Sequence, residues 1–276
     1  MLQRVSYPEL CGMGGTAVSE AMNVWNQHRM VGYASSTMTI SCAELVKHGQ
    51  EYVKNALYEA AQQGRRATGL QDVEFQGRLP QLVETAITTL YETNPLATHM
   101  IRGSELEFPE WGNARLDVLS TTPEGELAVD DYKCKFSTFD EAWIDKEFEK
   151  HFASEQRLHY AAMTGARLFG IILVMIQPHA KRKPSTPRII RRVSRVTDAE
   201  LAQWRRDVVL DHLEMETVLQ QPSPLMVRTK AAPHANQYGD CQYKEACLEA
   251  NLDPQLMALR YVTVTRRESM TIEGGI

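Results

Sequence analysis

The sequence contains no uninterrupted apolar run of about 18 residues, which is the length that a membrane-spanning helix requires. Its first residues also lack the apolar core that is typical of a secretory signal peptide. These absences argue against a membrane protein and against a secreted one. We therefore expect a cytoplasmic protein that makes no membrane contact.

An excess of basic residues is missing as well. The chain has 30 lysines and arginines against 35 aspartates and glutamates, and its net charge is −5. This balance excludes a surface that binds nucleic acid uniformly, but it leaves room for a local basic site. Residues 181–195 form such a concentration of charge, because they contain seven basic side chains and no acidic one.

This basic segment permits two interpretations. It is either a surface that binds a phosphate backbone, or a solvated loop that leads into an edge strand whose charges prevent pairing with other chains. Under the first interpretation, the phosphate contacts come from Lys181, Arg182, Lys183, Arg188, Arg191 and Arg192.

Two hydrophobic segments that carry isolated polar residues form the most informative pattern in the chain. Residues 126–134 are predicted to form a strand, because they are short, partly β-branched and aromatic, and follow a turn signal at 122–125. Residues 114–119 are predicted to form a second strand. The short connection between the two segments predicts a hairpin.

The predicted hairpin brings three charged side chains together. Side chains two apart on a strand share a face, so Asp131 and Lys133 point the same way, and strand pairing places Asp117 beside them. Carboxylate oxygens are preferred ligands of Mg²⁺ and Mn²⁺. A bound metal polarises a phosphate and lowers the pKa of water, while a lysine positions that water or stabilises negative charge. The pattern therefore indicates metal-dependent hydrolysis of a phosphodiester.

Two further polar residues follow in a segment of helical pattern, residues 148–162. Gln156 and Tyr160 are four positions apart and share a helix face, so both are expected to reach the same site and to hydrogen-bond a phosphate or the lysine. The apolar run 168–176 is predicted to form a buried central strand flanked by helices.

The order of these residues resembles the PD-(D/E)XK nuclease superfamily and, within it, the RecB-like exonuclease branch often found in phages. In that family an Asp ends one strand, Asp/Glu-x-Lys lies on the next, and Gln-x3-Tyr lies on the following helix. The resemblance covers residues 105–176. It implies that Asp117 and Asp131 hold Mg²⁺ or Mn²⁺, that Lys133 is the catalytic lysine, and that Gln156 and Tyr160 form an accessory motif.

The resemblance also implies a fold and a function. The fold class is α/β (α+β), with a restriction-endonuclease-like core whose central mixed β-sheet is flanked by helices, and with helical N- and C-terminal additions. The function is that of a metal-dependent DNA nuclease, an exonuclease that acts in recombination, repair or replication with DNA and a recombination or replication protein as partners. A phage origin would place it in the host cytoplasm. The alternative is a catalytically weak or inactive nuclease-fold module that binds DNA or a partner protein.

A third metal ligand of the family has no direct counterpart here. RecB-like nucleases usually carry a His on a helix before the first Asp, and Gln81 stands at that place. Glu84 lies one turn further along and is the expected substitute. His99, Glu105 and Glu107 are alternative candidates.

Cysteine is scarce, with five residues, and disulfides are not expected in a chain without a signal peptide. Some RecB-like nucleases hold an iron–sulfur cluster with one early cysteine and a late Cys-x2-Cys-x5-Cys. Cys42, Cys241 and Cys247 resemble three of these four ligands, whereas Tyr238 replaces the fourth. The segment is therefore either a decayed cluster motif that packs as a plain helical staple, or a cluster site completed by His234.

We expect three regions along the chain: an N-terminal extension at 1–38, a RecB-like nuclease domain at 39–251 and a C-terminal tail at 252–276. Within the domain, the core spans 78–195 and a helical part spans 197–251. Helices are expected at 42–64, 79–92 and 197–221, the last with a capping box of Thr197 and Glu200, and a strand is expected at 261–264.

Overall fold

The computed structural model describes most of the first 219 residues and two short strands further along. The described ranges are 7–32, 40–63, 70–108, 114–137, 139–177, 187–219, 235–236 and 239–240. Contacts divide the chain into two units, Met1–Arg206 and Asp207–Ile276. All the described residues of the candidate site belong to the first unit.

A five-stranded mixed sheet forms the centre of the first unit. Its strands stand side by side in chain order: β1 (Met100–Phe108), β2 (Ala114–Thr121), β3 (Leu127–Phe136), β4 (Leu168–Ile176) and β5 (Arg188–Arg195). The first three form an antiparallel meander, β4 runs parallel to β3, and β5 runs antiparallel to β4. The expected mixed sheet and the expected hairpin are thus confirmed.

The strand β4 is apolar along its whole length because it is enclosed. Every residue after Leu168 is buried, with β3 and β5 on its two sides. The middle strand of the sheet is nevertheless β3, so the strand predicted to be central lies one position from the centre. Strand β5 lies at the sheet edge, as the edge-strand interpretation of residues 188–195 predicts.

Three helices pack in one hydrophobic cluster with one face of the sheet: α1 (Tyr7–Gly32), α2 (Cys42–Gln62) and α3 (Leu70–Thr93). Helix α2 begins at a capping box in which Ser41 and Glu44 bond each other's backbone N–H groups, and it occupies the predicted range. Helix α3 is also confirmed, although it begins at Leu70 rather than at residue 79.

The prediction of an N-terminal extension is wrong for residues 7–32, because α1 belongs to the core. Leu10, Ala17 and Met22 are fully buried in the same cluster as α2 and α3. A methyl group added at Gly14 would lie 2.8 Å from atoms of Leu79 and Phe136. Small residues therefore let α1 approach its neighbours closely, and they also weaken the apolar periodicity that reveals a core helix.

Two helices cover the opposite face of the sheet: α4 (Glu141–Phe152) and α5 (Gln156–Thr164). The single helix predicted at 148–162 is therefore two, because a turn at 153–155 interrupts it. This packing is formed by three helix residues, Ile144, Phe148 and Tyr160. They belong to the same hydrophobic cluster as apolar strand residues that include Leu116, Val129, Ile171 and Leu173. The break places Gln156 at the first residue of α5, directly above the sheet.

The predicted helix near the end of the first unit is α6 (Asp198–Leu219), and its capping box is confirmed. Thr197 N donates to Glu200 Oε2 at 2.8 Å, and Glu200 N donates to Thr197 Oγ1 at 3.2 Å. The second unit contains a short antiparallel pair, β6 (Ala235–Asn236) and β7 (Gly239–Asp240). The strand predicted at 261–264 and the tail at 252–276 lie outside the described residues. None of the described helices is long and apolar enough to cross a membrane.

Candidate active site

The strands β2 and β3 stop pairing through their backbones at Asp117. Their backbone pairing extends from the hairpin turn only as far as Val118 and Asp130. At the next position a side chain replaces the backbone carbonyl as acceptor: Asp117 Oδ2 accepts a hydrogen bond from the backbone N–H of Tyr132 at 2.8 Å. Strand β3 stays paired to β4 as far as Phe136. Among the described strands, β3 from Asp131 onward therefore pairs only with β4.

Three carboxylates stand in a row across β1, β2 and β3. The register between β1 and β2 pairs the residues on either side of Glu105 with those on either side of Asp117. Continuing the register between β2 and β3 by one residue places Asp117 opposite Asp131. Glu105 has a positive φ of 51°, in the left-handed region that only a few non-glycine residues adopt. The row therefore contains the predicted pair, Asp117 and Asp131, together with Glu105 on β1, a strand that was not predicted.

Burial and mutual repulsion raise the pKa of two of these acids. Burial and the charge of Asp131 raise the pKa of Asp117 to about 7. Burial also raises the pKa of Glu105, although an ion pair with Arg115 opposes this effect, with 2.6 Å between Arg115 Nε and Glu105 Oε2. The site therefore concentrates more negative charge than its own cations neutralise, and a divalent cation would relieve that repulsion.

Lys133 lies on the same face of β3 as Asp131, as the alternation of side chains predicts. Lys133 Nζ is 2.5 Å from Asp131 Oδ2, and the lysine side chain is 27% exposed whereas that of Asp131 is 4% exposed. An ammonium group has three N–H donors and can therefore bind more than one acceptor at a time. The carboxylate thus fixes a lysine that still reaches the surface.

Gln156 and Tyr160 form one hydrogen-bonded unit over this row. Gln156 Nε2 donates to Tyr160 Oη at 2.8 Å and lies 3.4 Å from Asp131 Oδ1. Tyr160 Oη in turn donates to the carbonyl oxygen of Arg115 at 2.7 Å. Burial raises the pKa of Tyr160, so its hydroxyl keeps the proton that it donates. The unit connects α5 to β2 and β3.

The structure does not bring Glu84, the expected third metal ligand, to this group. Glu84 is an exposed residue of α3 that accepts a hydrogen bond from Gln50 Nε2 at 3.0 Å, within the layer of helices on the opposite face. His99 is buried and its Nδ1 lies 3.0 Å from Ser120 Oγ, away from the acids. Of the alternative candidates, Glu105 alone stands in the row, whereas Glu107 is exposed further along β1.

The predicted basic surface is partly occupied by ion pairs. Lys181, Arg182 and Lys183 lie outside the described residues. The three described arginines each pair with an acid: Arg188 with Glu141, Arg191 with Asp130, and Arg192 with Asp145.

These three arginines differ in what they leave accessible. Arg191 makes two hydrogen bonds, of 2.6 and 3.1 Å, to Asp130, a carboxylate with no exposed surface. This geometry favours a structural role for Arg191, and its assignment to phosphate binding stays a prediction. Arg188 and Arg192 are 44% and 41% exposed, and the Arg192 guanidinium lies 4.6 Å from the ring centre of Phe148.

Of the cysteines predicted to hold an iron–sulfur cluster, only one lies within the described residues. Cys42 is a partly buried free cysteine at the start of α2, with its Sγ 3.8 Å from Thr88 Oγ1. Cys241 and Cys247 lie outside the described residues, as do Tyr238 and His234. The iron–sulfur cluster therefore remains a prediction.

Sequence reasoning missed two charged residues of this region, Glu20 and Arg115. Glu20 on α1 contributes to the raised pKa of Glu105, and Arg115 binds that same carboxylate. A signal for Arg115 was present, because it lies two residues before Asp117 on one strand face. Glu20 gave no such signal, since its role depends on how α1 meets β1.

The donor set suits a hard divalent cation. Within the part of the chain that the structure describes, no three His, Cys, Asp or Glu side chains converge into a ready-made metal site. Mg²⁺, however, needs only one or two carboxylates and completes its shell with water and substrate phosphates. Asp117 and Asp131 would supply those carboxylates, and burial together with the charge of Asp131 raises the pKa of Asp117. The residues thus fit Mg²⁺ or Mn²⁺.

Comparison with known proteins adds no family assignment. No protein-family model matches this chain, and no curated protein matches it.

Proposed function

We propose that this protein is a Mg²⁺- or Mn²⁺-dependent deoxyribonuclease that hydrolyses phosphodiester bonds. The observation that carries the proposal is the position of Asp117, Asp131 and Lys133. Two acids and a lysine meet where β2 leaves β3, and Lys133 Nζ is held 2.5 Å from Asp131. The arrangement combines hard ligands with a fixed cation.

In this proposal each residue has a defined task. Asp117 and Asp131 hold the metal, which when bound polarises the phosphate and lowers the pKa of a water molecule. Lys133 donates hydrogen bonds to the attacking water or to the phosphate oxygens as negative charge develops. Gln156 orients Asp131, and Tyr160 ties α5 to the backbone of β2, so the acids keep their separation.

The same geometry supports a finer proposal about fold and role. Three features are consistent with a restriction-endonuclease-like core of the RecB-like type. They are the meander β1–β3, the parallel pairing of β4 with β3, and the acids where β2 and β3 stop pairing. On that analogy the enzyme is an exonuclease that processes DNA ends in recombination, repair or replication. Arg188 and Arg192, which keep exposed guanidinium groups, guide the DNA backbone towards the site.

A DNA- or protein-binding module of the same fold is the second candidate. It is favoured by the absence of a three-ligand metal site among the described residues. The two functions differ in their dependence on Lys133. A nuclease loses cleavage when this lysine is removed and keeps DNA binding, whereas a binding module has no cleavage to lose.

The deciding experiment is digestion of end-labelled linear DNA and of closed circular DNA with Mg²⁺, Mn²⁺ or EDTA. The wild-type protein is compared with Lys133→Ala and with Lys146→Ala, which removes an exposed lysine of α4 as a matched control. The proposal expects metal-dependent loss of linear DNA alone, a loss of at least about a hundredfold in Lys133→Ala, and no change in Lys146→Ala. Absence of cleavage by folded, metal-loaded wild type would favour the binding module.

A further inference from the structure

A second lysine continues the face of β3 that carries Asp131 and Lys133. Lys135 lies two residues beyond Lys133, and the β4 partners of these lysines are Leu173 and Met175. Both partners belong to the hydrophobic cluster under α4 and α5, which is the face of the candidate site. The two lysines therefore stand in line on one side of the sheet, about 7 Å apart along the strand.

Lys135 is held in place without being buried. Its Nζ lies 2.7 Å from Glu147 Oε1 on α4, and its side chain is 31% exposed. The same carboxylate also faces Lys150, at 4.0 Å, and accepts a contact from His151 Nε2 at 3.2 Å. These hydrogen bonds lower the pKa of Glu147 to about 2, so it carries a single negative charge. Two lysines, Lys135 and Lys150, therefore face one negative charge.

Lys133 and Lys135 both reach the surface, with side chains 27% and 31% exposed. Among the described strands, β3 pairs with β2 only up to Asp130, and beyond it only with β4. A polyanion bound beside Asp117 that follows β3 would therefore meet Lys133 and then Lys135. The spacing of alternate residues on a strand is comparable to the distance between successive phosphates in one strand of nucleic acid.

We propose that Lys135 binds the phosphate next to the one that is cleaved, on the same DNA strand. This inference rests on the proposed nuclease function and adds a positioning residue for a polymeric substrate. Lys133 serves the phosphate under attack, and Lys135 holds its neighbour, so the scissile bond is set in register with Asp117 and Asp131.

The test combines a Lys135→Gln variant with oligonucleotides in which one linkage is a neutral methylphosphonate, moved step by step from each end. Single-turnover cleavage with Mg²⁺ or Mn²⁺ is measured for every position. We expect a methylphosphonate beside the cut site to slow the wild type at least about tenfold, the order for loss of one charged hydrogen bond. Lys135→Gln should cut the all-phosphate DNA slower by a similar factor and show no further loss at that linkage.

Three variants separate this role from a structural one. Lys146→Gln removes an exposed lysine of α4 and should cleave like the wild type. Lys135→Arg keeps the charge and should retain most of the activity. Glu147→Gln keeps Lys135 but removes its carboxylate partner, so it should bind DNA more tightly in Ca²⁺, whereas a purely structural pair predicts no gain. This variant decides the matter if Lys135→Gln does not fold.

The outcomes are distinct. Additive losses from Lys135→Gln and the methylphosphonate at every position, or unchanged cleavage by Lys135→Gln, would overturn the role of Lys135 while leaving the nuclease function intact. Failure of wild-type protein to cut any DNA would overturn both. If a methylphosphonate at one flanking linkage slows the other proteins but no longer slows Lys135→Gln, the contact is established. The position of that linkage identifies on which side of the cut Lys135 binds.

Discussion

The Asp117 carboxylate occupies the place of a hydrogen bond between strands, since its Oδ2 accepts from the backbone N–H of Tyr132 at 2.8 Å. This contact fixes the acid where β2 and β3 separate and holds it beside Asp131. The same position makes Asp117 hard to ionise, because burial and the charge of Asp131 raise its pKa to about 7. Asp117 therefore has two functions, hydrogen-bond acceptor and negative charge, and substitution can separate them.

Asp117→Asn should keep the fold and lose the activity. An amide oxygen still accepts from the Tyr132 N–H, so the free energy of unfolding should stay equal or rise, while cleavage falls at least about a hundredfold because a metal ligand loses its charge. Asp117→Ala removes the acceptor as well and should cost a further ~1–3 kcal/mol of stability. Thermal melting and single-turnover cleavage of both variants check this. Equal melting of the two variants would show that the Tyr132 hydrogen bond is not formed.

The raised pKa of Asp117 also predicts a pH dependence of stability. Between its ordinary value near 3.8 and about 7, the folded chain binds more protons at this group than the unfolded chain does. The contribution of Asp117 to the free energy of unfolding therefore falls as pH rises from about 4 to about 7, and levels off above. Urea denaturation of metal-free protein at pH 5 and pH 8 measures it, as the difference between wild type and Asp117→Asn.

Glu105 contributes in the same direction, because burial raises its pKa as well, but it is present in both proteins. The pKa values of Glu147 and Glu200 are lowered, so their stabilising contributions are lost only as pH falls below about 4.5. Burial lowers the pKa of His99, and its contribution is lost as pH falls below about 6.5, equally in both proteins. Addition of Mg²⁺ at pH 8 should stabilise the wild type and not Asp117→Asn. Equal stabilisation of both would refute metal binding at Asp117.

The part of the site that follows from local periodicity was predictable from sequence. Alternation along a strand places Asp131 and Lys133 on one face, and the i, i+4 spacing places Gln156 beside Tyr160. A short turn between two apolar segments was sufficient to predict the hairpin that brings Asp117 near Asp131. These inferences involve at most two adjacent elements, for which spacing alone determines the geometry.

The parts that depend on packing between distant elements were not predictable. Glu105 joins the acids through the register of β1, and Arg191 turns inward because Asp130 lies buried on the same face of the sheet, two strands away. Neither fact is encoded in a local pattern. Residues 7–32 looked irregular because Gly14 takes the place of a larger apolar residue at a close helix contact.

Removal of the Tyr160 hydroxyl should impair the site without abolishing it. Tyr160→Phe loses the bond to the Arg115 carbonyl and the bond from Gln156, while the ring keeps its place in the core. We expect kcat/KM to fall roughly 10- to 100-fold, the range for residues that support a metal site from behind. Stability should fall by about 1 kcal/mol. Steady-state kinetics and melting test this, and loss as complete as that of Lys133→Ala would assign Tyr160 a direct catalytic role.

Arg191 and Arg192 are adjacent but should respond to substitution in opposite ways. Arg191→Gln leaves the enclosed Asp130 carboxylate without its partner and should cost ~3–5 kcal/mol of stability. Arg192→Gln breaks an exposed pair with Asp145 and should cost about 1 kcal/mol or less. Urea denaturation separates the two variants, and wild-type stability of Arg191→Gln would contradict the structural role.

DNA binding should show the reverse order for the same two arginines. Each phosphate contact contributes about 0.9 to the slope of log K against log salt concentration for duplex DNA. Arg192→Gln should therefore lower that slope by about this amount. The folded fraction of Arg191→Gln should keep the wild-type slope, because its guanidinium faces Asp130 rather than the DNA.

The inclusion of α1 in the core makes a matched prediction for two glycines of that helix. Gly14→Ala places a methyl group 2.8 Å from Leu79 and Phe136, both buried, and should destabilise the chain by ~1–3 kcal/mol. Gly12→Ala meets no atom within 4 Å and should stabilise by up to about 1 kcal/mol, the difference in helix propensity. Urea denaturation at one pH compares them. If both alanines stabilise the protein equally, α1 does not pack against the sheet and α3 in solution, and residues 7–32 are an extension after all.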